Sequence, residues 1–156
     1  MFSTGYVIAI IGIALCVVLC GIGSGIGLYK TGTAAAGVLG ENPKKFGKLV
    51  VLMLLPATQG LYGFLVAILA VNKLGAVFDA EAIAATAHGW AIFGACLPMA
   101  ISGFVSAFFQ GKTAVNCIYA AAKQDSLGFK IAMGPAMIEF YALLGLVISI
   151  LIVLAI

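Results

Sequence analysis

The sequence predicts an all-α membrane protein of four transmembrane helices, arranged as two duplicated helical hairpins. Three observations carry this prediction: an extreme composition, four apolar runs and an internal repeat. Of the 156 residues, 64% are hydrophobic and 8% charged, whereas soluble domains average about 45–50% apolar and about 25% charged. Low charge and high hydrophobicity also exclude intrinsic disorder. Eight dispersed lysines without any arginine give a net charge of only +3, so nucleic acid is not an expected partner.

Each of the four apolar runs reaches the roughly 20 residues that a helix needs to cross a bilayer. Tight turns are expected near Asn42-Pro43 and near residues 124–126, because helix-favouring stretches before them suit helices that project past the membrane. No cysteine or histidine cluster suggests a cofactor or a structural metal. The spans run over residues 5–28, 49–71, 89–109 and 131–156.

Lysines concentrate in the first and third connections between the spans. A lysine bias marks the cytoplasmic side of a membrane protein. We therefore expect a multi-pass protein of the cell membrane, with the first and third connections in the cytoplasm and both termini on the outer side. The first connection holds Lys30, Lys44, Lys45 and Lys48; the third holds Lys112, Lys123 and Lys130; the second holds only Lys73.

The two halves of the chain are copies of each other, offset by 82 residues. We expect a first hairpin over residues 1–78 and a second over residues 79–156, running in parallel because an even number of spans separates them. One aligned pair differs in an informative way, since Glu139 lies opposite Ala57. Shared positions include Gly12 and Gly94, Gly21 and Gly103, Ser24 and Ser106, Lys30 and Lys112, Lys48 and Lys130, and Gly63 and Gly145.

Glu139 is the only charged residue inside any of the four predicted spans, about 12 Å from the start of the last one at ~1.5 Å per residue. An ionised group at that depth costs several kcal/mol unless it is paired, so it is a functional residue by default. A protonated glutamate hydrogen-bonded between helices is the structural alternative.

Polar oxygens are expected to converge on Glu139. Thr58 and Gln59 follow its repeat counterpart Ala57 and lie at similar depth, and Tyr62 falls on the face of Thr58. Gln110 lies as far from the second hairpin turn as Glu139, so the two side chains meet at one height. Oxygen ligands suit a hard cation, which favours Na⁺ over a proton. The alternative for the amides is hydrogen bonding between helices.

Prolines and glycines shape the predicted spans around this cluster. Pro56 and Pro135 each remove an N–H and loosen the nearby helix, which is tolerated where the backbone lines a polar cavity. The run GIGSGIG is not a dinucleotide-binding fingerprint, because its spacing differs and no strand precedes it. Its glycines, Gly21, Gly23, Gly25 and Gly27, suit very close packing of helices, as in the crowded inside of a ring.

These residues resemble the proteolipid subunit of the membrane rotor ring of V-type rotary ATPases, and most closely its bacterial Na⁺-transporting members, often called subunit K. The resemblance covers essentially the whole chain, including the missing carboxylate of the first hairpin. It rests on the Gly run at 21–27, LLPATQGLYGF at 54–64, FQGK at 109–112 and PAMIEFYALLG at 135–145.

The resemblance implies a ring of identical copies in the lipid bilayer, each carrying one ion as the ring turns, coupled to ATP hydrolysis or synthesis elsewhere. It implies a stator membrane subunit that supplies an arginine and a central-stalk subunit, and no catalysis by this chain alone. The implied Na⁺ ligands are Glu139, Gln110, Thr58, Gln59 and the Leu55 backbone carbonyl, with Tyr62 hydrogen-bonded to the glutamate.

Two other functions stay open from the sequence. A proton-carrying ring of the same fold needs only the carboxylate. A stand-alone channel or a four-helix scaffold needs no ring, although one carboxylate per chain and a glycine-rich helix favour a ring.

Overall fold

Four long apolar rods make up the part of the chain that the structure, a computed structural model, describes: residues 3–156, apart from the side chains at positions 78, 79, 82, 125, 128 and 129. The described residues form helices and turns with no strand, and all four rods are long and apolar enough to cross a membrane. The α-helices are α1 (Thr4–Glu41), α2 (Phe46–Leu54), α3 (Thr58–Val71), α4 (Leu74–Asp79), α5 (Ala82–Lys123) and α6 (Met133–Ala155).

The rods form two layers. Helix α1 packs along α5, and this pair makes one layer; α3 lies on α1 and α6 lies on α5, which makes the second layer. Helix α3 also contacts both α5 and α6. The two hairpins therefore share one helical core, and a side chain on α3 can meet side chains from the second hairpin.

Small residues allow the first layer to pack tightly. A Cβ atom added to Gly27 would lie 2.5 Å from the Pro56 Cβ, and one added to Gly111 would lie 2.6 Å from the Gly27 Cα. Such distances are shorter than real Cβ contacts, so only glycine permits this approach of the backbones.

Helices α1 and α5 both extend well beyond the predicted spans, as expected, and end at Glu41 and Lys123 next to the predicted turns. Lys45 ties the two turns together, since its Nζ donates hydrogen bonds to the Ala121 carbonyl at 3.2 Å and to the Ala122 carbonyl. A lysine at the last carbonyls of a helix satisfies acceptors that have no partner within that helix.

The prolines act differently from one another. The second rod is interrupted at Pro56, where a 3₁₀ segment over Leu55–Ala57 separates α2 from α3. Pro135 instead lies in the first turn of α6, after a 3₁₀ segment over Asp125–Ala132, where a helix needs no N–H from it. The irregular backbone near Pro135 therefore lies before α6, in the 3₁₀ segment, and α6 itself is continuous. Pro98 lies within the unbroken α5.

Candidate ion-binding site

The single carboxylate of the predicted spans lies between the two rods of the second layer, which contain α3 and α6 and are called the outer rods. Glu139 on α6 is half-buried, and its Oε1 accepts a hydrogen bond of 2.8 Å from the Tyr62 hydroxyl on α3. Because the partners belong to different hairpins, this bond fixes the carboxylate at the junction of the two copies.

Two fully buried glutamines form a chain of amides behind it. Gln59 and Gln110 are both 0% exposed, and Gln59 Nε2 donates to Gln110 Oε1 at 2.7 Å. Gln110 Nε2 in turn donates to the Pro135 carbonyl at 3.0 Å. Since Pro135 lies one helical turn before Glu139, the chain runs from α3 across α5 to the turn of α6 that carries the carboxylate.

One oxygen of these two glutamine amides has no hydrogen-bond partner in the described part of the chain. Among the described residues, the buried Gln59 Oε1 has no hydrogen-bond partner. A buried carbonyl oxygen without a partner forfeits about 1–3 kcal/mol, so it requires an explanation. A cation near the carboxylate would satisfy this oxygen, because carbonyl oxygens are among the ligands that hard cations prefer.

Two more oxygens belong to the break in the second rod. Thr58 Oγ1 donates to the Leu55 carbonyl at 3.0 Å, within the turn that Pro56 interrupts. Thr58 directly precedes Gln59 in the chain, and Leu55 lies four residues before it. The interruption thus brings a backbone carbonyl and a hydroxyl to the start of α3 beside the amide.

The predicted site residues therefore occupy adjoining positions on α3, α5 and α6. Tyr62 contacts Glu139 directly, and Gln59 contacts Gln110 directly. Thr58 and Leu55 contact each other, and their roles toward an ion stay predictions. The set contains only oxygen ligands, with one negative charge, which suits a monovalent hard cation or a proton.

The glycine run divides into two faces. Gly23 and Gly27 face α5 or Pro56 closely, since a Cβ added to Gly23 would lie 2.8 Å from the Phe104 carbonyl oxygen. Gly21 and Gly25 have no described atom within 4 Å of such a Cβ. Close packing therefore occurs within the chain at two of the four predicted positions, and for the other two it stays a prediction about neighbouring copies.

Sequence reasoning missed two hydroxyls on α1 that contact the broken rod. Ser24 Oγ accepts from the Gly60 N–H at 2.8 Å, and Thr31 Oγ1 donates to the Met53 carbonyl at 2.9 Å. Ser24 stood out only as a residue shared by both repeats. Their role depends on a contact between helices, which the sequence does not encode locally.

Four membrane-spanning rods, a duplicated hairpin and one carboxylate set among buried oxygens define an ion-carrying membrane proteolipid. The comparison with known proteins gives the same class: the ATP synthase subunit-C family matches the chain twice, over residues 11–70 and 93–152. The chain belongs to this family, as a multi-pass membrane subunit that is not itself catalytic. The two matches are offset by the spacing of the internal repeat.

Three similar proteins support this assignment. The chain is 42% identical over 150 residues to the V-type sodium ATPase subunit K of Enterococcus hirae, covering 96% of this chain and 92% of that protein. It is 39% identical to the A-type ATP synthase subunit K of Methanocaldococcus jannaschii, covering 96% of this chain and 63% of that protein. It is 27% identical to a V-type proton ATPase subunit of Saccharomyces cerevisiae, covering 96% of this chain and 71% of that protein. The chain is thus a rotor-ring proteolipid of a rotary ATPase.

Proposed function

We propose that each copy of this chain carries one Na⁺ at Glu139 as its ring turns. The observation that carries the proposal is the buried Gln59 carbonyl oxygen without a hydrogen-bond partner. A protonated Glu139 has a single O–H to donate, whereas one Na⁺ takes several oxygen ligands at once and so accounts for the Gln59 oxygen together with the carboxylate and the neighbouring neutral oxygens. The proposed ligands are Glu139, Gln110, Thr58, Gln59 and the Leu55 backbone carbonyl, and Tyr62 holds the carboxylate.

The charge balance explains how such a site can move through a membrane. Na⁺ on an ionised Glu139 makes a neutral unit, so the loaded site can face lipid at a tolerable cost. Without the ion, the carboxylate would be an unpaired charge in a low dielectric, which costs several kcal/mol. Release of the ion therefore requires a positive partner beside Glu139.

This chain contains no arginine, so we propose that a stator membrane subunit supplies one. Large apolar side chains surround Glu139 on the outer surface, including Met137, Phe140 and Tyr141, which are 60%, 57% and 69% exposed. Such a surface suits lipid on most of the circuit and the stator at one place. A central-stalk subunit would couple the rotation to ATP hydrolysis or synthesis.

We propose that identical copies cover the open sides of the first layer. Gly21 and Gly25 present backbone with open space beside it. A groove of about 780 Å³ runs between α5 and α6, lined mainly by apolar side chains such as Ile101, Val105 and Leu144. In this arrangement, residues 1–78 and 79–156 act as two hairpin units, of which only the second carries a carboxylate within a predicted span.

For the orientation, we propose that the lysine-rich turns face the cytoplasm and that both termini lie outside. A cysteine placed at Lys44, in a background without the four native cysteines, should react with an impermeant thiol reagent only from the cytoplasmic side. Labelling from the outer side would invert the orientation.

The ion is tested by labelling the purified ring with a carbodiimide, which modifies the protonated carboxyl of Glu139. Na⁺ should protect Glu139 from the reagent, because the bound cation and the proton compete for the same carboxylate. Protection should strengthen as the pH rises and protons compete less. K⁺ should protect far less, because the larger ion fits the same ligands poorly.

The competing assignment is a proton-carrying ring of the same fold. In that case labelling follows pH alone at any Na⁺ concentration, and the glutamines serve only as hydrogen-bond partners between helices. Native mass of the solubilised protein separates both assignments from a stand-alone channel or scaffold, which would not form a ring.

A further inference from the structure

Helix α1 contacts the second rod on both sides of its 3₁₀ interruption at Leu55–Ala57. Ser24, Gly27 and Thr31 on α1 are spaced i, i+3, i+7 and so share one helix face. That face meets the broken rod at Met53, Pro56 and Gly60, in that order along the rod.

The hydroxyls match the chemistry that the break exposes. Ser24 Oγ accepts from the Gly60 N–H at 2.8 Å, in the first turn of α3 after the 3₁₀ segment. Thr31 Oγ1 donates to the Met53 carbonyl at 2.9 Å, just before the break. One hydroxyl therefore serves a donor after the interruption and the other serves an acceptor before it.

Glycine lets this contact form. Gly27 packs on the ring of Pro56, and a Cβ added to Gly60 would lie 3.1 Å from Ser24 Oγ. Thr31 is 0% exposed and Ser24 is 6% exposed. Both hydroxyls are thus buried while the backbone groups that they contact are half-buried, and loss of either hydroxyl removes a contact between α1 and the broken rod.

We propose that Ser24 and Thr31 are positioning residues for the ion site, and that they set its Na⁺ affinity by holding both ends of the broken rod. The segment between Met53 and Gly60 contains the Leu55 carbonyl, Thr58 and Gln59, which are the three ligands that the first hairpin supplies. Neither hydroxyl is assigned as an ion ligand. This inference rests on Na⁺ being the transported ion.

The repeat supplies matched controls. Ser106 is the counterpart of Ser24, is equally buried, and donates within its own helix to the Gly103 carbonyl at 3.3 Å. Thr113 is the counterpart of Thr31 and donates to the Phe109 carbonyl of its own helix at 3.0 Å. Removing these hydroxyls makes the same chemical change without touching the broken rod.

The test measures Na⁺ protection of Glu139 from a carbodiimide on purified rings. Ser24→Ala and Thr31→Val should each raise the half-protecting Na⁺ concentration about tenfold to a hundredfold, as loss of groups that orient ion ligands does. Ser106→Ala and Thr113→Val should stay within about twofold of the wild type. Thr31→Ser, which keeps the donor, should restore the wild-type value.

A second readout separates positioning from general damage. Without Na⁺, the pH dependence of labelling should be unchanged in Ser24→Ala and Thr31→Val, because Glu139 and its hydrogen-bond partner Tyr62 both lie outside the segment from Met53 to Gly60. If Ser24→Ala fails to assemble, the pair Thr31→Val and Thr31→Ser carries the test alone.

Three results would overturn the inference. Wild-type protection with unchanged affinity in both variants refutes the positioning role and leaves the Na⁺ assignment intact. An equal loss in the Ser106 and Thr113 controls makes the effect one of general packing. A wild-type ring that ignores Na⁺ removes the proposed ion, and the inference with it.

Discussion

The two hairpins began as copies, yet their outer rods now differ in both backbone and chemistry. The first outer rod is interrupted at Leu55–Ala57, while α6 is continuous over Met133–Ala155. At the aligned position, the first copy has Ala57 and the second has Glu139. The hairpin with the interrupted rod therefore lacks the carboxylate, and the hairpin with the continuous rod carries it.

With the proposed ligands, this difference divides one site between the duplicated halves. The interrupted rod offers neutral oxygens at the start of α3, including a backbone carbonyl that a regular helix would keep within its own ladder. The continuous rod carries the carboxylate. The counterparts of Gln59 and Gln110 are Tyr141 and Leu28, so each copy has lost the groups that the other supplies.

The largest expected effect comes from removing the charge of the second hairpin. Glu139→Gln should reduce Na⁺ transport by the reconstituted complex to background, while the ring still assembles. Glutamine keeps the volume and one carbonyl oxygen but loses the charge that balances the ion. The measurements are ²²Na⁺ uptake and the native mass of the ring.

Glu81→Gln is the matched control, because it makes the same chemical change at an exposed residue before α5, and it should transport normally. Normal transport by Glu139→Gln would remove this residue from the mechanism and, with it, the asymmetry between the hairpins.

The contrast also shows what the sequence can predict. Four rods, the duplication and the prediction that Glu139 carries the ion follow from composition, periodicity and a single charge within a span, all of which are local properties. The hydrogen bond between Gln59 and Gln110 was anticipated only as proximity: Gln59 was placed near Glu139 by the repeat, and Gln110 by its equal distance from the second turn. The difference between Pro56 and Pro135 was not predictable, because the same residue breaks a helix in its interior and begins one in its first turn.

The contacts of Ser24 and Thr31 with the second rod are still harder to predict from the sequence. Each hydroxyl could bond to its own helix; the single hydroxyl proton of Thr31 also has the Gly27 and Leu28 carbonyls of α1 within reach, at 3.1 and 3.2 Å. Only the packing of α1 against the broken rod selects the second partner. Contacts between helices, rather than helix propensity, decide this part of the site.

A smaller effect is expected from removing one neutral ligand from either hairpin. Gln59→Leu and Gln110→Leu should each raise the half-protecting Na⁺ concentration about tenfold to a hundredfold, since an interaction with a charged group contributes about 1.5–3 kcal/mol. Carbodiimide labelling of Glu139 at fixed pH and increasing Na⁺ measures this concentration. If only one of the two variants loses affinity, the ligands are not shared between the copies.

Gln124→Leu controls for the loss of an amide as such, because Gln124 is exposed at the turn after α5. Its half-protecting concentration should equal that of the wild type. A comparable loss in this control would mean that the assay reports the condition of the ring rather than the site.

The smallest effect should come from the tyrosine that joins the hairpins. Tyr62→Phe removes the 2.8 Å hydrogen bond to Glu139 Oε1 but leaves every proposed ligand in place. A single net hydrogen bond contributes about 0.5–1.5 kcal/mol, so the half-protecting Na⁺ concentration should rise about threefold to tenfold. Tyr141→Phe removes an exposed hydroxyl from the helix that carries Glu139 and should change nothing. If Tyr62→Phe loses more Na⁺ affinity than Gln59→Leu, the expected order of the two effects is reversed. The first hairpin would then contribute to the site mainly by orienting the carboxylate and not by supplying neutral oxygens.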